Sequence, residues 1–144
     1  MTQRETAMAA LLAVLQAGLP GHSVLRATGT PEPIPNGQAL ILLHDGSCEA
    51  AEPLLSPLRY EIIWNAPITL DAETAAIREG TVEALAALLV ADPGLGGAVD
   101  WAEIGMPEAE VMSSPSLEGH GQQPPVFSIS IPIRLHYVAD SPAG

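Results

Sequence analysis

Two long stretches of the chain alternate apolar and polar residues with few departures. In residues 58–70 the even positions are Leu58, Tyr60, Ile62, Trp64, Ala66, Ile68 and Leu70, while Arg59, Glu61, Asn65, Pro67 and Thr69 hold most of the odd ones. Residues 127–138 repeat the pattern, with Phe127, Ile129, Ile131, Ile133, Leu135 and Tyr137 set against Ser128, Ser130, Pro132, Arg134 and His136. A period of two marks half-buried antiparallel strands. At roughly 3.3 Å per residue each reaches about 40 Å, twice the usual strand length, so their ends are expected to outrun the core as an arm. An arm needs a partner. Tyr60, Ile62 and Trp64, with Arg59 and Arg134, are therefore the candidate interface residues.

Other segments switch to helical spacing. Thr2-Gln3-Arg4-Glu5 fits a capping box, Met8, Leu11, Leu12 and Leu15 follow on one stripe, and Gly18 with Pro20 closes that helix. A second helix is expected to start at Asp71 or Thr74, to turn Ile77, Thr81, Ala84, Leu85, Leu88 and Leu89 inward, and to end at Asp92-Pro93-Gly94. Gly80 in its middle costs nearly 1 kcal/mol relative to alanine, which suggests close packing on a sheet. Residues 24–27 form a short strand candidate. The continuous apolar run at 39–43 suits a strand buried on both faces and central in the sheet. Residues 44–57 read as a polar connection, 99–104 and 109–112 as weaker strands, and the Pro- and Gly-rich stretch 113–125 as a long loop. The order expected is α-β-β-β-α-β-β, without βαβ repetition. It implies an α+β fold whose mostly antiparallel mixed sheet carries two helices on one face.

Composition narrows the function. The chain has 144 residues, 47% of them apolar, which suits one domain spanning residues 1–144. Its net charge is −12, it has no lysine, and Arg4, Arg26, Arg59, Arg78 and Arg134 are scattered singly. Phosphate recognition needs clustered cations, so this balance argues against direct nucleic-acid binding, and an anionic membrane would repel the surface. The first residues lack the pattern of a signal peptide, and no apolar run has the length of a membrane span. One cysteine forms no internal disulfide. A cytosolic protein, or one that joins an assembly built there, is expected.

Candidate chemistry is sparse. His44 and Cys48 stand four positions apart beside Asp45, so an imidazole-activated thiol can be drawn; the plainer account is a strand end followed by an ordinary loop cysteine. Asp100, Glu103, Glu108, Glu110 and His120 could supply metal ligands, but their spacing matches no zinc or calcium pattern and a solvated acidic surface explains them better. Gly94-Leu95-Gly96-Gly97 follows a helix and lacks the Lys-Ser/Thr of a phosphate loop, so it reads as a helix terminator. No Gly-x-Ser-x-Gly elbow is present, Ser113, Ser114 and Ser116 lying instead among prolines, and nothing calls for a cofactor. Trp64 and Trp101 are two of only five aromatic residues; packing is the usual role for each, with an interface role open for Trp64.

Ser56-Pro57-Leu58-Arg59-Tyr60, Leu95-Gly96-Gly97 with Asp100-Trp101, and Leu135-His136-Tyr137 followed by Ala139-Asp140 resemble segments of bacteriophage tail terminator proteins. That family is typified by the lambda protein U and includes relatives in prophages and alpha-proteobacterial gene transfer agents. The resemblance implies an α+β layer that assembles as a hexameric ring in the virion tail. Such a ring caps the tail tube, stops its growth and joins it to head–tail connector proteins, with no active site to carry over. Two other classes stay open: a small-molecule enzyme using His44 and Cys48, and an adaptor or ligand-binding module whose exposed sheet face or strand edge captures a peptide. The charge yields a first expected outcome. At moderate salt the purified protein leaves duplex DNA unshifted in a gel titration, and salt-sensitive binding at micromolar protein would show that the five arginines cluster.

Overall fold

The computed structural model describes residues 2–29, 33–55, 57–112 and 125–144. The elements run α1 (Gln3–Gly18), β1 (Ser23–Arg26), β2 (Ala39–Leu43), β3 (Ser47–Leu55), β4 (Leu58–Ala72), α2 (Ala75–Ala91), a single 3₁₀ turn (Leu95–Gly97), β5 (Trp101–Ile104), β6 (Glu108–Met112) and β7 (Val126–Ala139). The fold is α+β, with a mixed sheet of seven strands and two helices. Two corrections apply to the expected order. The polar connection after His44 contains β3, and both weak candidates after α2 form strands ahead of β7. The expected loop at 113–125, with His120, lies outside the described residues except for Pro125.

The caps explain where the helices start. Thr2 Oγ1 accepts from the Glu5 amide and Thr74 Oγ1 from the Ile77 amide, so Thr74 rather than Asp71 opens α2. Asp71 is held inside β4, where Ser128 hydroxyl donates to its carboxylate. α1 buries Ala7, Met8, Leu11 and Leu15; α2 buries only Thr81, Leu85 and Leu89, and Ala84 is exposed. Buried Thr81 is satisfied by its own helix, its hydroxyl donating to Ile77 O at 2.7 Å. Gly80 is also exposed, with nothing near the position a Cβ would take, so its expected close packing is absent. The close approach belongs to Gly18, where a Cβ would run into the Leu88 side chain of α2.

The strands run laterally β1-β2-β4-β7-β5, with β3 also on β4 and β6 also on β7; among the described residues only β1 and β2 are parallel. β2 is nearly all buried, as expected, yet β4 and β7 hold the centre, joined over thirteen positions from Tyr60↔Ala139 to Ala72↔Phe127. Each long strand has two different outer neighbours. β4 pairs with β3 through residues 58–65 and with β2 through 68–72; β7 pairs with β6 through 126–130 and with β5 through 133–136. Paired residues share a face. Ile62, Ala66, Ile68 and Leu70 with Tyr137, Ile133, Ile131 and Ile129 form the core beneath the helices.

Two prolines stand opposite each other, Pro67↔Pro132, in the middle of this central ladder. Proline is ordinarily confined to strand edges because it has no amide hydrogen to give. Here the missing donors fall in the gaps between outer strands. Pro67 O accepts from His44 N at 3.0 Å and Pro132 O from Gly105 N at 2.7 Å, so both prolines direct their backbone groups outward, where β2 gives way to β3 and β6 to β5. A glycine lies in each gap. A Cβ at Gly46, whose φ is +72°, would overlap the Asn65 carbonyl oxygen, and one at Gly105 would press on the Pro132 ring. Two substitutions should therefore act with opposite sign in chemical denaturation. Gly46→Ala should cost at least ~1–2 kcal/mol from the left-handed backbone alone, whereas Gly80→Ala, helical and unobstructed, should gain about 0.4–1 kcal/mol.

Candidate functional site

Length decides what stays uncovered. β4 has 15 residues, about 50 Å of extended chain, whereas α1 and α2 have 16 and 17, about 25 Å each. Even laid along the strands the helices cover about half of them. The half they leave is the β3–β4 hairpin, whose strands meet at Leu55↔Leu58 across two intervening residues.

On this hairpin the apolar face of the core continues without a cover. The pairs Ala51↔Ile62, Pro53↔Tyr60 and Leu55↔Leu58 succeed one another on the helix side of the sheet. Along them exposure rises from 1% at Ile62, through half-buried Tyr60, to 60% at Leu58 and 83% at Leu55. The expected arm exists, but its free apolar residues are not those expected. Ile62 is core. Trp64 is half-buried against the core, its indole N–H donating to Asp45 O at 2.8 Å and the Arg4 guanidinium lying 4.9 Å from its ring. Arg59 is exposed and lines a polar groove of about 480 Å³ with Thr2, Gln3, Asp140 and Ser141. Arg134 lies on the other side of the sheet, away from the tip. Leu55 and Leu58 escaped notice because alternation reports a face and says nothing of where its cover ends.

The helix-free face is charged rather than apolar. Arg134 Nε donates to Glu49 Oε2 at 2.8 Å, Glu103 carboxylate is 3.1 Å from His136 Nε2 and 4.0 Å from Arg134, and the Trp101 ring stacks on His136 at 4.0 Å. Glu49 first, and Glu103 after it, hold the Arg134 guanidinium still more firmly protonated. Nearby, His44 Nε2 lies 2.8 Å from Thr69 Oγ1. A second ionic cluster secures α1: Arg26 bridges Glu5 at 3.1 Å and Asp45 at 2.7 Å, and its guanidinium keeps the Glu5 carboxyl below the ordinary 4.5. Such surface pairs are screened by solvent; they orient more than they stabilise. Tyr137, buried beside Ile62, has its phenol pushed above its ordinary value by that burial.

The structure does not bring His44 and Cys48 together. His44 faces Thr69 on the helix-free side, while Cys48 pairs with Trp64 on the helix side, exposed and directed at Ala50 O. Of the acidic residues weighed as ligands, Glu103 serves His136 and Arg134, and Asp100 and Glu108 are exposed; His120 lies outside the described residues, as do Ser113, Ser114 and Ser116. Among the described residues no three of His, Cys, Asp and Glu gather as a metal requires, and no helix is long and apolar enough to cross a membrane. No protein-family model and no curated protein matches the chain.

One more surface feature was illegible in the sequence. An apolar groove of about 470 Å³ opens between α2 and β5, lined by Leu89, Val90, Pro93, Ala102 and Ile104 with Glu103 at its rim. Val90 is 82% exposed there.

The division between core and tip is testable by stability alone. Ile62→Ala should lose ~2–5 kcal/mol in urea unfolding as a buried cavity opens. Leu55→Ser should stay within about 0.5 kcal/mol of the parent protein. Equal losses at the two sites would mean that the hairpin is packed within its own protomer.

Proposed function

We propose that this chain is a structural protein of the phage tail terminator type, a self-assembling ring subunit that caps a tail tube and joins it to the head side. The observation that carries the reading is the apolar face running off the core onto the hairpin, where Leu55 and Leu58 lie bare. An uncovered apolar patch that continues a buried core face marks a contact with another chain. The acidic, lysine-free surface agrees with the role, because a ring through which DNA passes functions best when it repels phosphate. No residue of the reading acts as a catalyst, and His44 with Cys48 on opposite faces gives the enzymatic alternative no paired groups to use. Capture of an extended peptide along β3, which among the described residues pairs only with β4, is the second reading; it requires a stable monomer.

The test adds purified protein to polymerising tail tubes and measures their lengths by electron microscopy. The parent chain should arrest growth at a uniform length. The variant Leu55→Asp/Leu58→Asp, with its melting temperature unchanged, should leave tubes to overgrow. A parent protein that stays monomeric at every concentration and does not affect the tubes would sink the ring reading.

A further inference from the structure

We infer that the hairpin tip of one copy seats in the α2–β5 groove of a second copy, so that the ring of the preceding section is built from one repeated head-to-tail contact. The inference rests on that ring reading and supplies its interface.

Position comes first. At the hairpin end the sheet runs β3-β4-β7-β5, which puts the tip on one lateral edge and the groove on the other. A tip cannot reach its own groove across the width of the sheet. Two different surfaces on opposite edges make a heterologous contact, and such a contact propagates with one sense until its rotation closes the ring. Both surfaces also belong to the same side of the sheet, since Leu55 and Leu58 continue the helix-side face and the groove is roofed by α2. The sheets of neighbouring copies can therefore lie side by side, with α2 of one covering the hairpin that its neighbour's helices are too short to reach.

Chemistry then selects a second copy as the occupant. The groove is apolar, with Val90 bare, and the tip presents two bare leucines of matching character. Charge agrees. Four of the five arginines are engaged: Arg26 with Glu5 and Asp45, Arg78 with Glu79, Arg134 with Glu49, and Arg4 over Trp64. Arg59, beside Leu58, has no carboxylate partner within 4.0 Å among the described residues. The groove is bordered by a carboxylate. Exposed Glu83 precedes Ala86 and Val90, which line the groove, by one and two helical turns on the same stripe of α2. A cation flanking the apolar tip thus meets the Glu83 carboxylate flanking the apolar groove, which favours one sense of docking and offsets part of the repulsion between two acidic chains.

Cross-linking tests the contact directly. In a Cys48→Ser background, Leu55→Cys and Val90→Cys are placed on separate chains, mixed, and treated with a short bismaleimide. The mixture should give covalent heterodimers while either variant alone stays uncoupled, and the double variant should give a ladder ending in a closed species. Charge reversal supplies the second arm: Arg59→Glu should weaken association roughly two- to fivefold, and Glu83→Arg on the partner should restore it. Rings of normal size without the Leu55–Val90 link, or Leu55→Cys coupling to itself, would overturn this contact and leave the ring reading standing. Coupling of the tip to tube protein alone would overturn it in favour of a foreign occupant. A protein monomeric at all concentrations, even with tubes present, would remove both.

Discussion

Thirteen paired positions tie β4 to β7, and every other element takes its place from that ladder. The two strands are long enough to need two outer neighbours each, and the change of neighbour creates the gaps that Pro67 and Pro132 occupy. A proline pair in the centre of a sheet would ordinarily remove ladder bonds. Here it marks where the ladder's flanks are interrupted, with Gly46 and Gly105 allowing the chain to pass close by. The same length leaves the far end without a roof, because helices of 16 and 17 residues rise only about 1.5 Å per residue.

Much of this was legible in the chain. Alternation located β4 and β7 to within two residues at each end, the capping hydroxyl at Thr2 marked the first helix start, and Thr74 was one of two caps offered for the second. β3 was not legible, since Ser47–Leu55 carries alanine, glutamate and proline in place of β-branched residues and adopts a strand because β4 offers an unpaired edge. Its exposure on nearly every residue left no face for a pattern to report. Gly80 misled for a related reason: it lies four residues before Ala84, and the exposure of both shows a buried stripe of α2 narrower than the spacing indicated. Which apolar residues of β4 lie bare was not legible because Ile62 and Leu58 have the same parity; the first lies under the helices and the second beyond them.

The two faces of the sheet divide the work. Beneath the helices lies the apolar core, and the bare hairpin is its extension. On the opposite face Arg134, Glu49, Glu103 and His136, with Trp101 stacked on the imidazole, form a hydrated ionic layer. Such a layer adds little to stability but keeps that face from adhering to other apolar surfaces. In the proposed ring, association is left to the tip and the groove, on opposite edges of the molecule.

The central claim is that the hairpin is completed by another subunit. Hydrogen exchange measured across a concentration series tests it most directly, because the exposed hairpin amides report cover while the β2 amides at 39–43 are already buried and serve as an internal reference. The account predicts that the amides of Glu52, Leu54, Leu55 and residues 58–60 exchange fast in dilute protein and become protected as assembly proceeds, with 39–43 unchanged. Protection of these hairpin amides that is already complete in the dilute monomer, or absent in the fully assembled protein, would contradict it.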